Sequence, residues 1–273
     1  MRAAADPLAT ALADHLPQEH RRSGQVAARQ SRGARPYQED NYGARSFVDA
    51  GGAQSTLLVL ADGMGGHIGG ATASRVAVDA ALAAFSRTAG TNIDRLQQAL
   101  AAANNAIAEA IRQDERLAGS GSTLVGVTIG PAGITWVSVG DSPLWLARNG
   151  LLRRLNADHS MAPVFAALVA EGVMTEAEAQ ADSKRHILRS ALTGDSIKLI
   201  DVSPEPLPLC AADQVLLASD GILSLGEDRI AAILGAGPAK TADTAAAALL
   251  AAVDARAVPS QDNTTILLFT AED

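Results

Sequence analysis

Short apolar runs along the chain alternate with longer stretches in which apolar positions recur every three or four residues. The short runs are QVAARQS (25–31), STLLVLA (55–61), STLVGVTI (122–129), GITWVSVG (133–140), PLWLARNG (143–150), KLIDVS (198–203), QVLLAS (214–219) and NTTILLF (263–269). Their length and β-branched content predict strands. Turn signals at PAG (131–133) and NG (149–150) predict an antiparallel meander across 122–155. The longer stretches predict a helix pair at 71–88 and 93–115, a second helical pair within 161–182, and a late helix at 239–257. Strands and helices come in blocks with no fixed-period repeat. That predicts an α+β layered fold, not a doubly wound parallel sheet. Residues 1–24 stand apart as an N-terminal extension, in which Leu8, Leu12 and Leu16 suit a short amphipathic helix; a loosely docked arm is the alternative.

Composition narrows the class. The 273 residues are 48% apolar but only 3% aromatic, a globular composition with ample material for a core. The net charge is −8 with no basic tract, which argues against binding nucleic acid through its phosphates. Cys210 is the only cysteine, so no internal disulfide can form and a cysteine zinc site is disfavoured. No continuous apolar run reaches the roughly 20 residues that span a bilayer. The first residues lack the apolar core of a secretory signal. The expectation is a cytoplasmic protein without a membrane span.

The chemistry gathers at strand ends. Asp62, Asp141 and Asp220 each close an apolar run, and Asp262 opens one. One such aspartate is ordinary turn chemistry. Four of them can converge at one end of a sheet sandwich, where their mutual repulsion calls for a cation. All-oxygen donors select Mg²⁺ or Mn²⁺ over zinc. Upstream, SRGARPYQEDNYGA carries Arg35, Glu39 and Asp40; Arg35 suits a phosphate, although a surface ion pair is the simpler reading of it alone. The glycine-rich LADGMGGHIGG is not a nucleotide cradle, because it matches neither G-x-x-x-x-G-K-[ST] nor G-x-G-x-x-G.

In order, RPYQEDN, LADGMGG, GSTLVGVTI, VGDSPLWLARNG, DHS, ASDGI and QDNTTILL resemble the motifs of the metal-dependent type 2C protein phosphatases, the PPM family, in its bacterial branch. The resemblance runs from about Gln25 to Phe269. It implies a four-layer α/β/β/α sandwich, two central antiparallel β-sheets flanked by helices, with 25–273 as the catalytic domain and 156–194 as a flap. It implies two Mg²⁺ or Mn²⁺ ions and a weaker third. Asp62 would bridge both ions, the Gly63 carbonyl would bind the second, and Asp220 and Asp262 would hold the first. Glu39 would act through bound water, Asp40 would buttress the metal shell, Arg35 would take the phosphate, and Asp141 would serve the third ion. A water bridging the two ions would attack phosphorus, with no phosphoenzyme.

Two positions depart from the family pattern. Met64 stands where the eukaryotic branch has its general-acid histidine, leaving His67, His159 or a bound water as proton donor. Ser224 replaces an acidic third-metal ligand. In the flap, Lys184, Arg185, His186 and Arg189 either face a phosphopeptide or merely offset the flap's acidic residues. The implied function is a monomeric Ser/Thr protein phosphatase opposing a Ser/Thr kinase in bacterial signalling, with phosphorylated proteins as substrates. A catalytically weak regulatory module of the same fold and a small-molecule phosphomonoesterase are the alternatives.

Overall fold

The computed structural model describes residues 24–49, 51–66, 68–235 and 241–272. Two antiparallel sheets form its centre. In the first, the strand order is β1 (Gly24–Ser31), β11 (Thr264–Ala271), β10 (Gln214–Ala218), β7 (Leu144–Arg148), β8 (Leu151–Arg154). In the second it is β2 (Asp40–Val48), β3 (Gln54–Met64), β5 (Leu124–Gly130), β6 (Gly133–Val139), β9 (Asp201–Val202), and β4 (Gly121–Ser122) pairs with the end of β3.

The period-2 pleat explains why the strands read as unbroken apolar runs. In β3, Leu58 and Leu60 point into the layer between the sheets, where they meet Val125, Leu146, Leu217 and Leu267. Leu57, Val59 and Ala61 point the other way, onto α1 (Ile68–Arg87) and α2 (Asn92–Gln113). On the far side, Trp145, Leu216 and Leu268 pack under α5 (Glu227–Gly235) and α6 (Ala242–Ala255). The result is the four-layer α/β/β/α sandwich. Both faces of each sheet are covered, so both faces of these strands are apolar.

The alanine content has a structural use. Ala73, Ala77 and Ala81 recur at i, i+4, i+8 on α1 and end at Phe85, giving a low stripe that lets the helix lie close to the sheet. By length and composition α1 could cross a bilayer, but this stripe is part of the core. A capping box at Thr91 and Asp94 starts α2.

Four sequence expectations change. The stretch 122–155 is not one meander: β5 and β6 pair in the second sheet, and β7 and β8 pair in the first. The chain crosses between sheets at residues 140–143, where Gly140 has φ 103° and a Cβ would stand 2.6 Å from Thr123. Strand β2 was not foreseen, because DNYGARSFV at a sheet edge is diluted by Asn41, Gly43, Arg45 and Ser46. KLIDVS contracts to the two paired residues of β9. Helix α5 also escaped the pattern, being nine residues long. The proposed helix at Leu8–Leu16 lies outside the described residues. The flap carries α3 (Ala162–Ala170) and α4 (Glu176–Ala181).

Candidate metal centre

All the strand ends bearing the candidate carboxylates lie at one end of the sandwich. Asp40, opening β2, is register partner to Asp62 in β3. Asp220 begins the 3-10 turn Asp220–Leu225 directly after β10, Asp262 precedes β11, and Asp141 lies in the crossing after β6. Asp62, Asp141, Asp220, Asp262, Glu39 and Arg35 all line one cleft of about 750 Å³.

Asp62 is fixed through its backbone. Its N–H donates to Thr123 Oγ1 (2.9 Å), and its carbonyl accepts from the Thr123 N–H (2.8 Å) and Ser122 Oγ (2.9 Å). Gly63 next to it must be glycine, because a Cβ would fall 2.1 Å from the Gly70 carbonyl and 2.5 Å from that of Glu39. The first turn of α1 therefore closes directly on the strand carrying Asp62. Gly221 is forced in the same way, by the Asn263 carbonyl at 2.1 Å.

Asn263 latches the segment that carries Arg35 and Glu39. Its Oδ1 accepts from the Glu39 N–H (2.7 Å), and its Nδ2 donates to the carbonyls of Arg32 (2.8 Å) and Tyr37 (3.0 Å). Arg35 Nη2 donates to Asp262 Oδ2 at 2.6 Å, so the ion pair weighed for Arg35 is present, with Asp262 as partner. Both remain within the cleft.

Asp40 stands one layer behind Asp62. It does not line the cleft; it is 4% exposed and faces between the sheets. Its Oδ2 accepts from Ser219 Oγ and Thr265 Oγ1, each at 2.7 Å, stitching the second sheet to the first. This geometry makes it a positioning residue behind Asp62.

The electrostatics are those of anions crowded together. Burial, and then the charges of Asp40, Asp220, Asp141 and Asp262, hold the Asp62 carboxyl well above the usual carboxylate range. Asp220 is pushed up to about 8, by burial and then by Asp141, Asp262 and Asp40, with Arg35 opposing. Burial raises Asp40 to about 6 against the hydroxyls of Thr265 and Ser219. Asp141 is raised to about 6 by burial and then by Asp158, while Arg154 opposes.

These residues suit hard divalent cations. The donors are oxygens only, and a cation would relieve the repulsion that raises their pKa values. As placed, no three His, Cys, Asp or Glu side chains among the described residues are gathered tightly enough to hold one ion. Asp262 is instead turned to Arg35, and like-charge repulsion opposes closer approach of the others.

His67 lies outside the described residues. His159 is 5% exposed and away from the cleft; its Nδ1 accepts from the Gly140 N–H at 3.2 Å, and burial lowers its pKa. It is a structural histidine. Ser224 Oγ donates to the Gly221 carbonyl (3.0 Å) and does not line the cleft. In the flap, His186 and Arg189 line the cleft and Lys184 and Arg185 do not; Lys198, unremarked in the sequence, joins them.

Sequence reasoning also passed over Ser122, Thr123, Ser219 and Asn263. For Ser219 and Asn263 the signal was a hydroxyl or amide directly beside a strand-end aspartate; Ser122 and Thr123 have no aspartate near them in sequence and gave none.

An antiparallel two-sheet sandwich with helical outer layers and a carboxylate-lined cleft at one end defines a narrow structural class. A profile of the family described as Protein phosphatase 2C matches residues 37–250, and the chain belongs to that family. It is 35% identical over 172 residues to the serine/threonine protein phosphatase PstP of Mycobacterium tuberculosis, covering 62% of this chain and 32% of that protein. The chain thus spans about a third of the length of that relative. It is 30% identical over 196 residues to the serine/threonine phosphatase stp of Listeria monocytogenes, covering 70% of this chain and 74% of that one. The crystal structure of the PstP catalytic domain in complex with two manganese ions superposes with a TM-score of 0.72 at 31% identity, covering 92% of this chain and 99% of that one.

Proposed function

We propose that this chain is a divalent-metal-dependent phosphatase acting on phosphoserine and phosphothreonine in proteins, and that it opposes a Ser/Thr kinase. The single observation that carries the reading is the meeting of Asp62, Asp141, Asp220 and Asp262 in one cleft with Arg35. The manganese complex of the PstP catalytic domain supports a two-ion centre here.

Asp62 would be shared between two ions, with Asp220 and Asp262 on one and the Gly63 carbonyl on the other; Glu39 faces the same space. Bound there, the ions supply a nucleophile activated at neutral pH and neutralise the charge on phosphorus-bound oxygens. The chain's own contribution is placement. Ser122 and Thr123 hold Asp62 by its backbone, Asp40 braces it through Ser219 and Thr265, and Asn263 sets Arg35. Asp262 has one carboxylate to divide between Arg35 and a cation. When it turns inward, the Arg35 fork is released for phosphoryl oxygens, which it binds in bidentate fashion.

The test is hydrolysis of p-nitrophenyl phosphate and of a phosphothreonine peptide with Mn²⁺. The reading expects both activities and their loss on adding EDTA. Hydrolysis of small esters with no turnover of any phosphopeptide would reassign the substrate to phosphomonoesters. Activity untouched by EDTA would sink the metal mechanism.

A further inference from the structure

Among the described residues, two cations in the cleft have no carboxylate partner. Arg189 and Lys198 both line it and both are exposed, and among the described residues neither forms an ion pair. Arg35, the other guanidinium close to the aspartates, is engaged by Asp262. Asp195 also lines the cleft, and among the described residues it forms no ion pair with either cation.

The backbone segments that carry Arg189 and Lys198 are tied together. Ser190, 5% exposed, accepts from the Leu199 N–H and donates to the Leu199 carbonyl, both at 2.9 Å. One hydroxyl thus fastens the residue after Arg189 to the residue after Lys198. The Arg189 N–H donates to the His159 carbonyl at 2.7 Å. Asn104 of α2 clamps the intervening loop at the Gly194 N–H (3.0 Å) and the Asp195 carbonyl (2.8 Å).

The same segment is keyed to the metal end. Leu192 exchanges both backbone hydrogen bonds with Ser122 (2.9 and 2.8 Å), and Ser122 Oγ holds the Asp62 carbonyl at 2.9 Å. The backbone under the two cations therefore stands at a fixed offset from Asp62. A molecule of net charge −8 repels acidic peptides at long range, so unpaired cations inside its cleft select for them locally.

We propose that Arg189 and Lys198 form a second anion subsite, which takes a carboxylate or second phosphoryl group carried by the substrate peptide beside its phosphorylated residue. This rests on the phosphatase reading above and adds a substrate class to it. Lys184 and Arg185 have no part in the subsite; Arg185 lies outside the cleft, bonded to Gln180.

The experiment compares phosphothreonine peptides flanked by Asp and Glu, by a second phosphothreonine, by Ala, or by Lys. The acidic and doubly phosphorylated peptides should exceed the alanine peptide in kcat/KM by about three- to tenfold, the worth of one or two exposed charge contacts. The gain should shrink in 0.5 M salt. In Arg189→Ala/Lys198→Ala the ratio should fall to about one, whereas Lys184→Ala should keep it. A gain confined to the second phosphothreonine would identify the ligand as phosphoryl. A flat wild-type series, a ratio that survives the double substitution, or one lost equally in Lys184→Ala would each overturn the proposal. Binding of the same peptides by fluorescence anisotropy separates the two claims: discrimination in binding without turnover would keep the subsite and remove the phosphatase reading.

Discussion

Asp62 carries more of the account than any other side chain, and its position makes an unusual demand. Its burial among four other aspartates disfavours the charged form without a cation. Asp62→Asn removes a carboxylate that repels its neighbours while keeping the shape. We therefore expect the metal-free variant to melt at a higher temperature than the metal-free wild type, while activity with Mn²⁺ falls at least about 100-fold, as for loss of a principal charge-stabilising group. A lower melting temperature in EDTA would contradict the assigned electrostatics. Asn263→Ala tests the latch. It removes three hydrogen bonds that fix the Arg32–Glu39 segment, and at about 1 kcal/mol each should cost about 2–3 kcal/mol in denaturant melts and lower kcat/KM as Arg35 loosens. An unchanged midpoint would show that the loop holds itself.

At the level of elements, the strand ends set the pH behaviour. A carboxyl whose folded pKa is raised holds its proton more tightly in the folded chain than in the unfolded one. Its contribution to stability is complete below about pH 4, the unfolded value, and is lost as pH rises. The loss should run through about 6 for Asp40 and Asp141 and about 8 for Asp220. Metal-free protein should thus lose stability between about pH 4 and 8, and Mn²⁺ should restore most of it at pH 8. Flat denaturant midpoints across that range would refute this. The junction of β3 with α1 gives a steric prediction. Gly63→Ala places a methyl against the Gly70 and Glu39 carbonyls, backbone atoms that cannot rotate away, and should cost about 1–3 kcal/mol as an overpacked site. Elements were legible where apolar runs were dense, as in STLLVLA and QVLLAS, because both pleat faces are buried. They were illegible at the β2 edge, where Gly43 serves close approach of Leu82 instead of the strand.

The whole molecule shows why the candidate site was more readable than the topology around it. Asp62, Asp220 and Asp262 announced themselves together, because aspartates recurring at the ends of several apolar runs exceed what turn chemistry needs. The crossing at residues 140–143 gave no such sign. GITWVSVG and PLWLARNG read as neighbouring hairpin strands, yet the chain changes sheet between them and carries Asp141 to the cleft. The layer to which Asp40 belongs was invisible for a related reason, since its partners Ser219 and Thr265 are 179 and 225 residues away in sequence. Local pattern cannot register a pairing at that distance.

Whether these strand ends hold two divalent cations about Asp62 is read out by anomalous diffraction from crystals soaked in MnCl₂. Two manganese peaks are expected in the cleft, both within bonding distance of Asp62 and one beside Asp220 and Asp262, with Arg35 no longer on Asp262. Full soaking with no peak at Asp62, or with manganese only on exposed carboxylates elsewhere, would contradict that binding.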